Sequence, residues 1–173
     1  MKQFGGAFAI LLAVVFCAAG TVHAFVFTDP AGLYSTQIAD SWVYQAHHST
    51  EHLVVFYGDE DSALLYFERL GTVSYLSAWE FAHRSLELYR SPGGLEKFEM
   101  VRDLAEVEVG GEAGVSCAYT YQDGQGNQLW EYRVFLVLPG GEGFSIAFSD
   151  SRPEAADDPR QLEEILLHWR WLF

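Results

Sequence analysis

Cysteine is nearly missing from this chain: only Cys17 and Cys117 occur in 173 residues. Cys17 falls in an N-terminal segment expected to be removed, which leaves Cys117 alone and excludes an internal disulfide. Stability must then come from packing, and an aromatic content of 16% can supply it. Basic residues are scarce as well, with 10 Lys and Arg against 24 Asp and Glu and a formal net charge of −14. Such a surface repels phosphate backbones and anionic headgroups, so nucleic acid and strong membrane-surface binding are excluded as partners. The plain reading of the charge is a solvated acidic coat. The sharper one is recruitment of a basic partner or of divalent cations. Internal repeats, low-complexity tracts and linkers are absent too, so a single domain is expected.

What the chain does have, at its start, is an address. Lys2 precedes an apolar run from Ala7 to Ala19, and Val22-His23-Ala24 places short residues where a signal peptidase reads. Residues 1–24 therefore read as a secretory signal peptide cleaved after Ala24, and residues 25–173 as one exported domain. An uncleaved anchor would need about 18 apolar residues, and this run stops earlier at Gly20-Thr21. Lipidation at Cys17 is the lesser alternative, since bulky Phe16 stands where a small residue is wanted. The mature chain would hold 149 residues with 9 basic against 24 acidic side chains, a formal −15. That length buries about 70% of its unfolded surface in one core. The compartment expected is periplasmic or extracellular, in a bacterial envelope.

The exported part opens with a short strand at Phe25–Thr28, a turn at Asp29-Pro30-Ala31-Gly32, and extended pieces at Leu33–Ala39 and Trp42–Ala46. Leu53–Tyr57 and Ala63–Leu70 read as a hairpin around Gly58-Asp59-Glu60-Asp61. The period then changes. Ser77-Ala78-Trp79-Glu80 has the capping-box pattern, and Trp79, Ala82, Leu86 and Tyr89 recur at helical spacing up to Ser91-Pro92-Gly93-Gly94. Phe98–Val109, Ala113–Tyr121, Leu129–Leu138 and Phe144–Phe148 are strands joined by glycine-rich turns, as in an antiparallel meander. Asp158 as N-cap and Pro159 at the first helical position begin a last helix, with Leu162, Ile165, Leu166, Trp169 and Leu172 as its apolar stripe. The aromatic C-terminus is expected to be docked. The fold class is α+β: an antiparallel sheet, one helix between two strand blocks and one C-terminal helix packed on the sheet.

That element order resembles the PsbP-like and DcrB-like superfamily of exported proteins. The residues that carry the likeness are Phe27-Thr28-Asp29-Pro30-Ala31-Gly32-Leu33-Tyr34, the turn Asp40-Ser41-Trp42, and Val107-Glu108-Val109-Gly110-Gly111-Glu112-Ala113. The resemblance implies a non-enzymatic scaffold, as in extrinsic photosystem II subunits, periplasmic or lipoprotein envelope factors, and a nuclear Ran-binding branch. The leader argues against the nuclear branch. No catalytic residue, ligand position or cofactor comes with the resemblance.

Chemistry-bearing residues are few. His47, His48 and His52, with Glu51 beside them, are the densest set of possible zinc or copper ligands, but their spacing matches no metal motif and a polar loop explains them. A small metal-dependent hydrolase using that loop is the alternative function, and an acidic cation-binding envelope protein is another. Gly114-Val115-Ser116-Cys117-Ala118 has the outline of a nucleophile elbow but continues as a strand and lacks the closing glycine. Cys117 reads as a buried thiol without a basic neighbour. Asp59-Glu60-Asp61 and Asp123-Gly124-Gln125-Gly126-Asn127 read as turns, not calcium loops. Glu131 with Glu142 or Glu68 would make an acid pair, and acidic residues are plentiful enough for such pairs to arise by chance. Trp79 and Trp169 are expected in the core. Trp130, Tyr132 and Trp171 are the candidate partner-contact patch, should one sheet face be left uncovered. The expectation is thus an exported, non-enzymatic binding or scaffolding protein with no cofactor, whose partner is another envelope protein.

Overall fold

The computed structural model describes residues 23–58, 63–73, 76–152 and 160–173. The expected leader lies outside them except for His23 and Ala24, as do Asp59-Glu60-Asp61 and the Asp158-Pro159 cap. The first strands are β1 (Ala24–Thr28), β2 (Tyr34–Ala39), β3 (Val43–Tyr44), β4 (Leu53–Tyr57) and β5 (Ala63–Thr72). Helix α1 (Ala78–Arg90) interrupts them. The meander follows as β6 (Glu96–Val109), β7 (Glu112–Gln122), β8 (Gln128–Leu138) and β9 (Glu142–Asp150). Helix α2 (Arg160–Leu167) and the short β10 (Arg170–Trp171) end the chain.

Two antiparallel sheets result. The larger has the order β3-β4-β5-β9-β8-β7-β6, and the smaller has β2 between β1 and β10. The long meander strands alternate two kinds of side chain because successive residues face opposite sides of a sheet. One parity of β8, with Trp130, Val134 and Leu136, joins Phe144, Ile146 and Phe148 of β9 and Leu65 and Phe67 of β5 in the main core. The small sheet and the buried side of α2 (Leu162, Ile165, Leu166) cover that face. Tyr34 of β2 stacks on Trp169 at 4.4 Å and meets Phe67 and Phe144 edge-on, so an aromatic seam binds the layers. Thr36 donates its hydroxyl to the Ile165 carbonyl at 2.7 Å, tying β2 to α2.

The opposite parity faces α1. Phe81, Ala82 and Leu86 pack on Val115, Cys117, Tyr119 and Phe135 in a second core cluster. The helix begins as its sequence requires: the Ser77 hydroxyl accepts from the Glu80 N–H, and the Glu80 carboxylate accepts from the Ser77 N–H. Its buried arc corrects one expectation, because Trp79 is 38% exposed while Phe81 and Ser85 take the inward positions. The large Phe81 ring sets the rotation, meeting Phe135 edge-on at 5.5 Å. Leu172 is likewise exposed instead of completing a helical stripe. The helix ends at Leu167 and the chain runs on extended as β10, so helical spacing no longer applies. Trp169 is buried as expected, and the C-terminus is docked through β10 and the Leu172 N–H to the Leu33 carbonyl.

Candidate binding face

On the α1 side of the large sheet the helix lies over β6, β7 and β8 and stops short of β4 and β5. Leu53, Val55, Tyr57 and Leu64 are therefore only half-buried there. The uncovered part holds a cleft of about 790 Å³ lined by Tyr57, Leu64, Leu129, Ser149, Asp123 and Asn127, among others. Leu64, Ser149 and Leu129 form its floor through the register pairs Leu64 with Ser149 and Leu129 with Tyr121. The β7–β8 turn forms one wall. Asp123 accepts there from the Gln125 and Asn127 backbone N–H groups at 2.9 and 2.8 Å and from the Asn127 side-chain amide at 3.0 Å. These bonds hold the Asp123 carboxyl below its usual range, with the Asn127 amide the chief cause. They also account for the turn without a bound cation.

Two residues along each strand, between this cleft and α1, lies the densest polar cluster of the protein. Glu131 is 2% exposed and Arg133 6% exposed, side by side on β8. Arg133 donates through Nε to Glu131 at 2.8 Å, through one terminal nitrogen to Glu68 at 2.7 Å and Ser145 at 3.1 Å, and through the other to the Tyr66 hydroxyl at 2.6 Å. Tyr66 donates to Glu131 at 2.6 Å, Tyr119 also donates to Glu131, and Tyr121 lies at 3.4 Å. Ser145 donates to Glu68 at 2.9 Å. The guanidinium further sits over the rings of Tyr66 (5.2 Å) and Tyr89 (5.8 Å). Burial works against the Arg133 charge, but Glu131 and the surrounding tyrosines outweigh it and keep the group firmly protonated. Burial, reinforced by the Glu131 charge, pushes the Tyr66, Tyr119 and Tyr121 hydroxyls up. The chemical consequence is stasis. The one guanidinium is shared between the two carboxylates, and the hydroxyls are held as neutral donors.

The residues singled out from sequence fall elsewhere. Trp130 is 3% exposed, packed on Phe148 at 5.9 Å in the main core, so it offers no contact surface. Its parity faces the small sheet and α2, and the open half belongs to the opposite parity, that of Leu129. Tyr132 is half-buried beside Trp130, their rings 6.3 Å apart. Trp171 is half-buried too, but far along the fold on β10, where its Nε1 donates to the Val109 carbonyl at 2.8 Å. No ring contact links it to the other two. His47, His48 and His52 are exposed; His48 stacks on Tyr57 at 5.9 Å and His52 meets Glu51 at 3.4 Å. Among the described residues no three His, Cys, Asp or Glu side chains converge as metal ligands. Cys117 is buried at 1% exposure, and burial pushes its thiol up to about 12. Of the carboxylates considered as pairs, Glu131 and Glu68 do meet, bridged by Arg133, whereas Glu142 pairs with Arg69 at 2.9 Å. The signal for the cluster was present in sequence: Glu131 and Arg133, two apart, share one face of an otherwise apolar central strand.

No family model matches the sequence, and no curated protein matches it. Solved structures do share its fold. The Ran-binding protein Mog1p of Saccharomyces cerevisiae superposes with a TM-score of 0.62 at 10% identity, covering 88% of this chain and 97% of its own. Cyanobacterial PsbP (CyanoP) from Synechocystis sp. PCC 6803 gives 0.62 at 13% identity, with 89% and 95% covered. LpqN of Mycobacterium tuberculosis, involved in cell envelope biogenesis, gives 0.57 at 14% identity, with 87% and 91% covered. The chain spans about half (47%) of a longer Bacteroides thetaiotaomicron structure, at a TM-score of 0.56 and 14% identity. The antiparallel sheet sheathed by α1 on one face and by a small sheet and α2 on the other is the fold of PsbP and Mog1p.

Proposed function

We propose that this chain is an exported, non-catalytic binding protein of a bacterial envelope, released from its leader after Ala24, and that the open half of its large sheet is the face it presents to a protein partner. One observation carries the reading. The cleft lined by Tyr57, Leu64 and Leu129 adjoins the only dense set of acid–base groups among the described residues, and every one of those groups is already engaged with another. A catalytic site keeps a base or nucleophile free to face substrate. Here the polar groups brace the floor, and what remains accessible is a half-apolar surface with a polar rim, the make-up of a recognition face. The names of the fold relatives, a Ran-binding protein and a protein of cell envelope biogenesis among them, favour binding and an envelope setting. The signal-peptide layout supports export.

The test is in-cell photocrosslinking of the full chain carrying benzoylphenylalanine at Leu64, with Leu88 on the outer side of α1 as control. One discrete envelope-protein adduct at Leu64 and none at Leu88, together with an intact mass that begins at Phe25, is the expected outcome. Equal labelling at both positions, or cytoplasmic retention of the unprocessed chain, would overturn it.

A further inference from the structure

The β6–β7 hairpin passes the first turn of α1, and the two enclose a second groove, of about 560 Å³, that shares no residue with the cleft above. Ala78 and Trp79 form its helix wall, and Ala113, Val115, Glu106 and Glu108 its sheet side. Three observations about it converge. Trp79 is 38% exposed, turned out of the core by Phe81, with its ring 6.1 Å from that of His83. Glu106 pairs in register with Val115 and Glu108 with Ala113, so both carboxylates stand on the α1 side of the sheet, over the groove. Among the described residues no cation is in salt-bridge contact with either.

The third observation concerns the backbone. β6 is an edge strand of the large sheet, paired on one side with β7 and on the other with nothing among the described residues. Its register shifts all fall between Glu96 and Ala105, and such irregularities spoil an edge for further pairing. From Ala105 to Val109 the register is regular. The two-residue loop Gly110-Gly111, with φ of 59° and 89°, closes the hairpin on Val109 and Glu112. Hydrogen-bonded and non-hydrogen-bonded pairs alternate away from that closing pair, which turns the N–H and C=O groups of Glu106 and Glu108 to the free edge.

We propose that the Ala105–Val109 edge accepts an added antiparallel strand from a partner polypeptide whose residues opposite Glu106 and Glu108 are lysine or arginine, the aliphatic stems of those side chains lying toward Trp79 on the same face of the sheet. Backbone pairing would supply the affinity and the two carboxylates the choice of sequence. The excess of 24 acidic over 10 basic residues would draw such a segment in from a distance. This surface is independent of the cleft, and neither requires the other.

The probe is an acetylated, amidated heptapeptide alternating lysine with valine, titrated into the 15N-labelled exported domain at low salt, with a glutamate-for-lysine peptide as control. Amide shifts confined to Ala105–Val109 and to the Trp79 indole N–H are expected. The Glu106→Lys/Glu108→Lys variant, whose exposed positions leave the fold intact in the same spectrum, should bind the lysine peptide about tenfold more weakly, a loss of about 1.4 kcal/mol. N-methylation of the two lysines that flank the central valine should abolish the shifts, because their N–H groups face Glu106 and Glu108. Absence of shifts at these amides at millimolar peptide, equal shifts from the glutamate peptide, or unchanged affinity in the double variant would each overturn the proposal.

Discussion

At the scale of single residues, burial decides what a charge is worth, as two of the Arg–Glu pairs among the described residues show. Arg133 and Glu131 lie at 8% and 2% side-chain exposure with a 2.8 Å contact, whereas Arg69 and Glu142 lie at 28% each with a 2.9 Å contact. Removing Arg133 strands Glu131 in a low-dielectric site, while Glu142 can turn to water when Arg69 is lost. Arg133→Met is therefore expected to cost about 3–5 kcal/mol, and Arg69→Met about 1 kcal/mol or less, measured as shifts in urea midpoint at constant slope. Equal losses would show that the buried network is no better organised than a surface pair.

At the scale of elements, α1 is the piece whose placement defines the open face, and its start rests on a local device. The Ser77 hydroxyl accepts the Glu80 N–H at 3.2 Å, and the Ser77 N–H at 2.8 Å holds the Glu80 carboxyl below its usual range, with the hydroxyl assisting. Ser77→Ala should destabilise the domain by about 1 kcal/mol, seen in thermal or urea melts. The sign of the pH effect follows from a lowered folded pKa: the cap's contribution is present above the ordinary carboxylate range and fades as pH falls through the folded value. The difference between wild type and Ser77→Ala should hence shrink toward acid. The elements also show what was legible beforehand. The capping box, the meander and its glycine turns were readable, because they depend on contacts within a few residues. The faces were not. Helical spacing alone points Trp79 inward, and strand parity alone does not say whether the face that carries Trp130 is covered, since that depends on where the small sheet and α2 come to rest. β10 was unreadable for the same reason: two residues become a strand only because β2 lies beside them.

At the scale of the whole molecule, tyrosines lie in both cores and couple the fold to alkaline pH. Burial is the main cause that raises Tyr34 in the main core and Tyr66, Tyr119 and Tyr121 in the network, all from an ordinary value of 10.0. A raised folded pKa means full stability below the unfolded value and loss as pH climbs above it. The domain should hold to about pH 10 and then unfold cooperatively, with tyrosinate absorbance at about 295 nm appearing together with loss of tertiary circular dichroism. Stepwise tyrosinate formation in a still-folded protein would contradict the burial described for both faces. The buried Glu131 cluster, the open cleft and the shared fold with PsbP and Mog1p then bear on one claim: the accessible half-sheet binds, and the polar network beneath it holds its shape. That claim is tested most directly by the crosslink yield at Leu64 in two variant backgrounds. Tyr66→Phe removes a hydroxyl from the network but keeps the ring; Leu129→Arg fills the cleft floor and leaves the network alone. The account predicts that the adduct survives Tyr66→Phe and disappears in Leu129→Arg. Loss in Tyr66→Phe with retention in Leu129→Arg would contradict it.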